Sequence, residues 1–396
     1  MITNEFIAKI EGHGNLRIDW KKNKVVLEVA EGERLFEGLL VGRKAEDAYW
    51  VTPRICGVCP IAHNLASLAA LEKAAQIKLE RPIQLLRDLM QCAQMIQSHS
   101  LHLFFLSLPD YLGIDRGTEL RKKNPKAFQY ALELKELADN MASISAGRNV
   151  HPTTPTIGGF NKLPTKTELK KLLQQLEKTK EAAEWLPKFC QSLDYPELSV
   201  DLELVAIRNQ KIYSSKNDVV DVDDYKSAIE EEIREFSTAK FSKFLGREVM
   251  VGALARLYFE NKNYPLDFKN PFHNNLAQAI EVSLYHQKAM EIIKELLEVD
   301  LKNFDKKPEI KWDKESKGIG AVEAPRGGLY HEIHVDENGI ITYINIITPT
   351  VQNLTSIEKT AQALIEKYAH KPQKEKERLL NMLVRAYDPC ITCSVH

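Results

Sequence analysis

Two Cys-x-x-Cys pairs stand near opposite ends of this chain: Cys56 and Cys59 in RICGVCPIAH, Cys390 and Cys393 in DPCITCSVH. Such pairs have the spacing of metal ligands. A site built from all four must bring the two ends of the sequence together, so a metal held there is part of the fold. Four thiolates suit a structural zinc ion, and they suit nickel and iron as well. A redox disulfide within one pair leaves the other pair without a role. On spacing alone these readings stay open.

Of six cysteines, Cys92 and Cys190 stand alone, so there is no disulfide framework. Free metal-binding thiols suit a reducing, cytoplasmic setting. No basic-then-apolar leader follows Met1, and no apolar run reaches the roughly 20 residues of a membrane helix. Membrane association is expected only peripherally, through partners. The chain has 54 basic and 55 acidic residues among 396, a net charge of -1. That balance gives no electrostatic footprint for nucleic acid. At 44% hydrophobic and 28% charged, it has the composition of a folded protein with a sizeable core.

Residues 1–40 read as short strands, in LRIDW and KVVLEVA, interrupted by the EGHG segment at Glu11–Gly14. After Cys59 an alanine-rich helix begins, placing the first pair at a helix entrance, where backbone N–H groups favour thiolate. Pro82 opens a long apolar helix that Pro109 is expected to end. NPKAFQYALELKELADNMASISA reads as a third helix stopped by Gly147, and TKTELKKLLQQLEKTKEAAEWL as a charged amphipathic one. A helix is expected around DYKSAIEEEIREF and another strong one within 267–303. The last hundred residues return to strands split by an Asn338–Gly339 turn, then two helices. The glycine pair in Lys317–Gly320 lacks a dinucleotide fingerprint and reads as a loop. The expected fold is α+β and mainly helical: a long-helix bundle core with small mixed strand regions. The chain reads as one integrated unit over 1–396. Within it lie a strand region at 1–50, a helical core at 51–303, and a strand hairpin with C-terminal helix at 304–396.

The segments KIEGHGNLRI, LFEGLLVGR, PRICGVCPIAH, EAPRGGLYH, ITPTVQN and DPCITCSVH occur in this order. Together they resemble the large, catalytic subunit of nickel–iron hydrogenases, over nearly the whole chain from Glu11 to His396. The two cysteine motifs are the specific part. The resemblance implies nickel on Cys56, Cys59, Cys390 and Cys393, with Cys59 and Cys393 bridging to an iron that carries one carbon monoxide and two cyanides. It implies reversible conversion of H2 into two protons and two electrons.

By the same resemblance Cys390 is the first proton acceptor and Glu11 receives or relays that proton. Read alone, Glu11 is a turn residue or surface acid. Arg326 in APRGG is implied to lie over the open side of the metal pair; read alone, it is a buried ion-pair partner. Thr350 matches a hydroxyl that can donate to a cyanide, and Asp388 an acid that pairs with the active-site arginine. Read alone, they are a strand-end threonine and a capping acid. Ser98, followed by His99, departs from an Asp-His pattern of respiratory members, which removes one carboxylate; Ser-His occurs in the soluble, cofactor-linked branch. Glu37 and His396 are implied to hold magnesium or a similar ion. His63 is near enough to Cys59 in sequence for a hydrogen bond around the metal without ligating it.

Cys92 and Cys190 are too few for a conducting cluster. The resemblance therefore implies a small subunit bearing 4Fe-4S clusters, with flavin/NAD(P) diaphorase or other electron-transfer subunits beyond it, and NAD(P) or ferredoxin as the acceptor. It also implies metal-insertion proteins and a maturation endopeptidase, which cuts after the motif's terminal histidine. The chain ends at His396 and reads as the processed form. Relatives in respiratory complexes keep this fold but lack the nickel ligands, all four of which are present here.

Overall fold

The computed structural model describes residues 2–396. Three antiparallel strands open it, Ile2–Phe6, Gly14–Asp19 and Lys24–Val29, paired in that order. Alternation drives them: Leu16, Ile18, Val25, Leu27 and Val29 are buried between more exposed neighbours.

Four long helices form the core: Arg81–Leu101, Pro125–Ala146, Lys166–Gln191 and Asn274–Leu297. The first packs on the second and the fourth, and the third packs on the same two. Their ends obey local chemistry. Asn124 accepts the Ala127 N–H at the start of the second, and Gly147, at φ 82°, closes it. Thr165 and Glu168 make a reciprocal capping box on the third. No helix of the described residues is long and apolar enough to cross a membrane.

Three expectations from the sequence are corrected. The Arg81 helix does not end at Pro109. It widens into a π turn at His102–Ser107 and continues as Leu108–Leu112, where Pro109 lies in the first turn and its missing N–H costs little. The DYKSAIEEEIREF segment is helical only over Tyr225–Ala228; Ile229–Glu232 then pairs as a strand with Phe241–Phe244. Burial of Ile229 against Tyr225 and Phe244 in one apolar cluster outweighs the helix propensity of the glutamates.

The third correction shapes the site. Lys317–Gly320 is no loop but part of strand Ser316–Ala324. That strand pairs with Gly327–Val335, which pairs in turn with Ile341–Ile347. The helix Pro60–Ala74, which follows the first cysteine pair, lies directly on this sheet. A Cβ on Gly318 would fall 1.9 Å from the Ala70 carbonyl oxygen, and one on Gly320 2.1 Å from that of Ala66. The glycines are there because a helix backbone occupies the space side chains would need. This contact sets the cysteine helix against the strand that leads to Arg326.

At the C-terminal end, helices Pro349–Lys367 and Gln373–Ala386 pack together. Asp388, at φ 51°, then turns the chain sharply. Cys390 forms a parallel bridge with Glu11, and Ile391 N–H donates to the Glu11 carbonyl at 3.0 Å. The ends of the chain thus meet through backbone.

Candidate metal centre

The four paired cysteines converge with their sulfurs all within 4.8 Å of one another, and all four residues are buried. Cys59 sits just ahead of the Pro60–Ala74 helix, and Val58 N–H donates to Cys56 Sγ at 3.2 Å. Across the two segments, Cys56 and Cys390 sulfurs are 3.2 Å apart and those of Cys59 and Cys393 3.3 Å; Cys390 and Cys393 approach to 2.8 Å. None is a disulfide.

Burial and mutual contacts set the four thiols apart in acidity. Hydrogen bonds from Cys390, Cys393 and Cys59 pull Cys56 well below the usual thiol value. Cys59 is raised: its bonds to Cys390 and Cys393 are outweighed by Cys56 and burial. Burial drives Cys390 and Cys393 well above. Four converging, buried soft donors fit nickel and iron.

Glu11 reaches this cluster from the N-terminal segment. Its Oε2 accepts from Cys390 Sγ at 3.1 Å and from Thr392 N–H at 3.1 Å, and its Oε1 accepts from the Thr392 hydroxyl. Thr350, in the first turn of its helix, accepts the Cys390 N–H at 2.9 Å and keeps its own hydroxyl proton to donate.

Arg326 lies on the other side, 5% exposed. Its Nη2 donates to Asp388 Oδ1 at 2.8 Å, its Nε to the Asp388 carbonyl at 2.6 Å, and its Nη1 to Ser98 Oγ at 3.3 Å. Burial disfavours this charge, but Asp388 and the nearby sulfurs Cys390, Cys59 and Cys56 outweigh it and hold the guanidinium firmly protonated. Gln278 anchors Asp388 from behind at 3.0 Å, and His102 in turn contacts Gln278. Asp388 therefore supplies the carboxylate that Ser98 does not.

His99 faces away from the sulfurs. Its Nε2 meets Glu281 Oε2 at 2.9 Å. Although burial opposes ionisation, Arg256 holds Glu281 down to about 2. Arg256 directs its donors to Glu281, Glu323 and the carbonyls of Ala324 and Pro325, which pins the backbone just before Arg326. His63 Nε2 lies 3.9 Å from Cys393 Sγ, and its Nδ1 contacts His331 Nε2 at 3.2 Å. Burial lowers His63 to about 3 and His331 well below the usual range, so both rings are neutral. His396 places Nδ1 2.7 Å from the Cys393 carbonyl and Nε2 2.8 Å from the Ile346 carbonyl, with Glu37 Oε1 3.9 Å from that Nε2.

Thr392, Gln278 and His331 escaped sequence reasoning. Thr392 was visible between the two cysteines. His331 ends the EAPRGGLYH segment, where nothing set it apart, and Gln278 comes from an element with no motif, so only the packing reveals its place.

The model of the family described as nickel-dependent hydrogenase matches residues 34–129 and 272–396. The chain belongs to this family. It is the catalytic chain of a hydrogenase of the nickel–iron type. The alpha subunit of sulfhydrogenase 1 from Pyrococcus furiosus is 36% identical over 423 aligned residues, covering 100% of this chain and 97% of that protein. A chain of the F420-non-reducing hydrogenase vhc of Methanococcus voltae is 31% identical, covering 99% of this chain and 94% of that one. Among solved structures, an NAD+-reducing NiFe-hydrogenase in the H2-reduced state superposes with a TM-score of 0.84 at 23% identity, covering 100% of this chain and 99% of that chain. A NiFeSe hydrogenase from Dm. baculatum follows at a TM-score of 0.80 and 20% identity, covering 100% and 99%. The last two establish the shared fold, mainly helical with small strand regions.

Proposed function

We propose that this protein interconverts H2 with two protons and two electrons at nickel and iron held by the four cysteines, with Cys59 and Cys393 shared between the metals. The observation that carries this reading is the Glu11 carboxylate set 3.1 Å from Cys390 Sγ at the rim of the sulfur cluster. The metal pair supplies the centre at which H2 is cleaved and from which electrons leave. By family resemblance, the iron would carry carbon monoxide and two cyanides beside the sulfurs of Cys59 and Cys393.

The residues do the rest. Cys390 Sγ takes a proton and passes it along the short contact to Glu11, whose carboxylate is already oriented by Thr392. Arg326, fixed by Asp388 and Ser98, presents a permanent cation to the opposite side. The Thr350 hydroxyl is free to donate to a cyanide. His63 buttresses Cys393 as a neutral ring.

Glu37, the Ile346 carbonyl and His396 suit magnesium or a similar hard ion. His396 sets its two ring nitrogens against the Cys393 and Ile346 carbonyls at 2.7 and 2.8 Å, with Glu37 Oε1 3.9 Å from Nε2, which gathers oxygen donors where such an ion would sit.

Electrons pass to a small subunit carrying 4Fe-4S clusters and from there to a diaphorase on NAD(P), or to ferredoxin. A relative named as a subunit of an NAD-reducing hydrogenase supports the NAD branch of this reading. Metal-insertion proteins and an endopeptidase mature the chain. The test is elemental analysis with infrared spectroscopy on protein matured with its accessory proteins. Nickel and iron with bands of iron-bound carbon monoxide and cyanide are expected. Zinc alone in fully matured protein overturns the reading.

A further inference from the structure

Arg34 stands where three segments meet. Its backbone N–H donates to the Val395 carbonyl at 3.0 Å. One guanidinium nitrogen, Nη2, donates to the Ile55 carbonyl at 2.6 Å and also to the Thr392 carbonyl. Ile55 immediately precedes Cys56, and Thr392 immediately precedes Cys393. A single nitrogen therefore holds the residues in front of one ligand from each pair.

Other features set this arginine apart from a surface charge. The polar partners found for its guanidinium among the described residues are carbonyl oxygens. Its Nε is buried without a partner, and the Phe36 ring lies 5.3 Å from its Cζ. Glu11 and Thr350 also hold the Cys390 segment, through Ile391 N–H and Cys390 N–H, but those contacts do not reach the first cysteine pair.

We propose that Arg34 is the cross-link that keeps the two cysteine segments in register. It is a positioning residue: without it the 391–396 segment parts from the Cys56–Cys59 segment and the metal is released. The proposal rests on the reading of the four cysteines as one metal site. A planar nitrogen with two diverging N–H bonds on a long stem suits two carbonyls on separate strands of chain. A lysine ammonium reaches less far and has no fixed fork.

The experiment compares Arg34→Gln, Arg34→Lys and Arg34→Ala with the wild type, each matured and assembled with its iron–sulfur partner. It reads amide hydrogen exchange along the chain and nickel retained under a chelator. In Arg34→Gln and Arg34→Ala, exchange at 391–396 is expected to rise about tenfold or more, the scale of a lost charged hydrogen bond, with faster nickel loss. Arg34→Lys should fall between. Millimolar guanidinium added to Arg34→Ala should restore protection and retention, which general damage to the fold would not allow. Unchanged exchange and retention overturn the proposal. So does exchange that rises equally in the core helices Arg81–Leu101 and Pro125–Ala146, or a failure of guanidinium to rescue. Fully matured wild type without nickel, together with faster 391–396 exchange in Arg34→Ala than in that wild type, refutes the metal reading and leaves the cross-link standing.

Discussion

The contact between Cys390 and Glu11 joins an atom proposed to bind metal to an atom proposed to move a proton, and the two roles separate by mutation. Glu11→Gln keeps the volume and a carbonyl oxygen for the Thr392 donors but cannot carry the proton. Nickel content should stay near that of the wild type, while H2 turnover falls about 10²- to 10⁴-fold, the span of general acid–base catalysis. Cys390→Ser removes a soft ligand, so nickel itself should be lost. Elemental analysis beside a hydrogen-electrode assay distinguishes the two, and full turnover in Glu11→Gln would send the proton elsewhere. At this scale the ligands were legible because they lie in contiguous motifs. The Thr392 cradle under Glu11 was not, since a threonine between cysteines carries no sign of where its hydroxyl points. Nor was Gln278 behind Asp388, because a glutamine on a long helix resembles any other polar residue until packing brings it to a carboxylate.

Among the elements, the long helices were legible from caps and apolar spacing, and two of the three misread segments share one cause. Gly318 and Gly320 resemble loop glycines until the Pro60–Ala74 helix is laid over them; the acidic run after Ala228 resembles a helix until Phe241–Phe244 offers it a strand partner. In both cases a distant element decides the conformation. Gly320→Ala should therefore cost about 1–3 kcal/mol or more, since the new methyl meets helix backbone that cannot rotate away. It should also lower nickel occupancy by shifting the cysteine helix. Thermal unfolding and metal analysis check both. A second element-scale prediction concerns His286, which ties the helix Asn274–Leu297 to Lys166–Gln191 through Thr179 Oγ1 at 3.1 Å. Burial lowers its pKa from 6.5 to about 4. Between those values the unfolded chain holds a proton that the folded chain refuses. The stability from the neutral ring is thus complete above pH 6.5 and lost as pH falls toward 4, by up to about 1.4 kcal/mol per pH unit. His286→Gln should flatten that part of the profile, which urea midpoints at pH 7 and pH 5 would show. An unaltered difference between the two pH values would remove His286 from the acid response.

For the whole molecule, the governing fact is that the fold spends four of its six cysteines on one site. The other two, Cys92 and Cys190, are fully buried, and burial pushes Cys92 up to about 12 and Cys190 higher still. Neither presents a thiolate, and two thiols do not make the four-cysteine set of a conducting iron–sulfur cluster. Glu11 is the proposed way out for protons, while the cysteines among the described residues leave no set for a cluster that would carry electrons out. An acceptor too large to enter the protein must be served by cofactors on another chain lying close to the cysteine cluster. The matured catalytic chain by itself should therefore exchange H2 with solvent protons, because that cycle returns its own electrons, yet reduce the natural acceptor poorly. Adding the iron–sulfur partner should restore reduction without changing the exchange rate greatly. Both rates can be followed in one vessel, by mass spectrometry of H2 and HD from deuterated water and by the absorbance of the acceptor. Equal acceptor reduction with and without the partner would show that electrons leave through this chain. Loss of both activities in the isolated chain would mean that the partner completes the site as well as draining it.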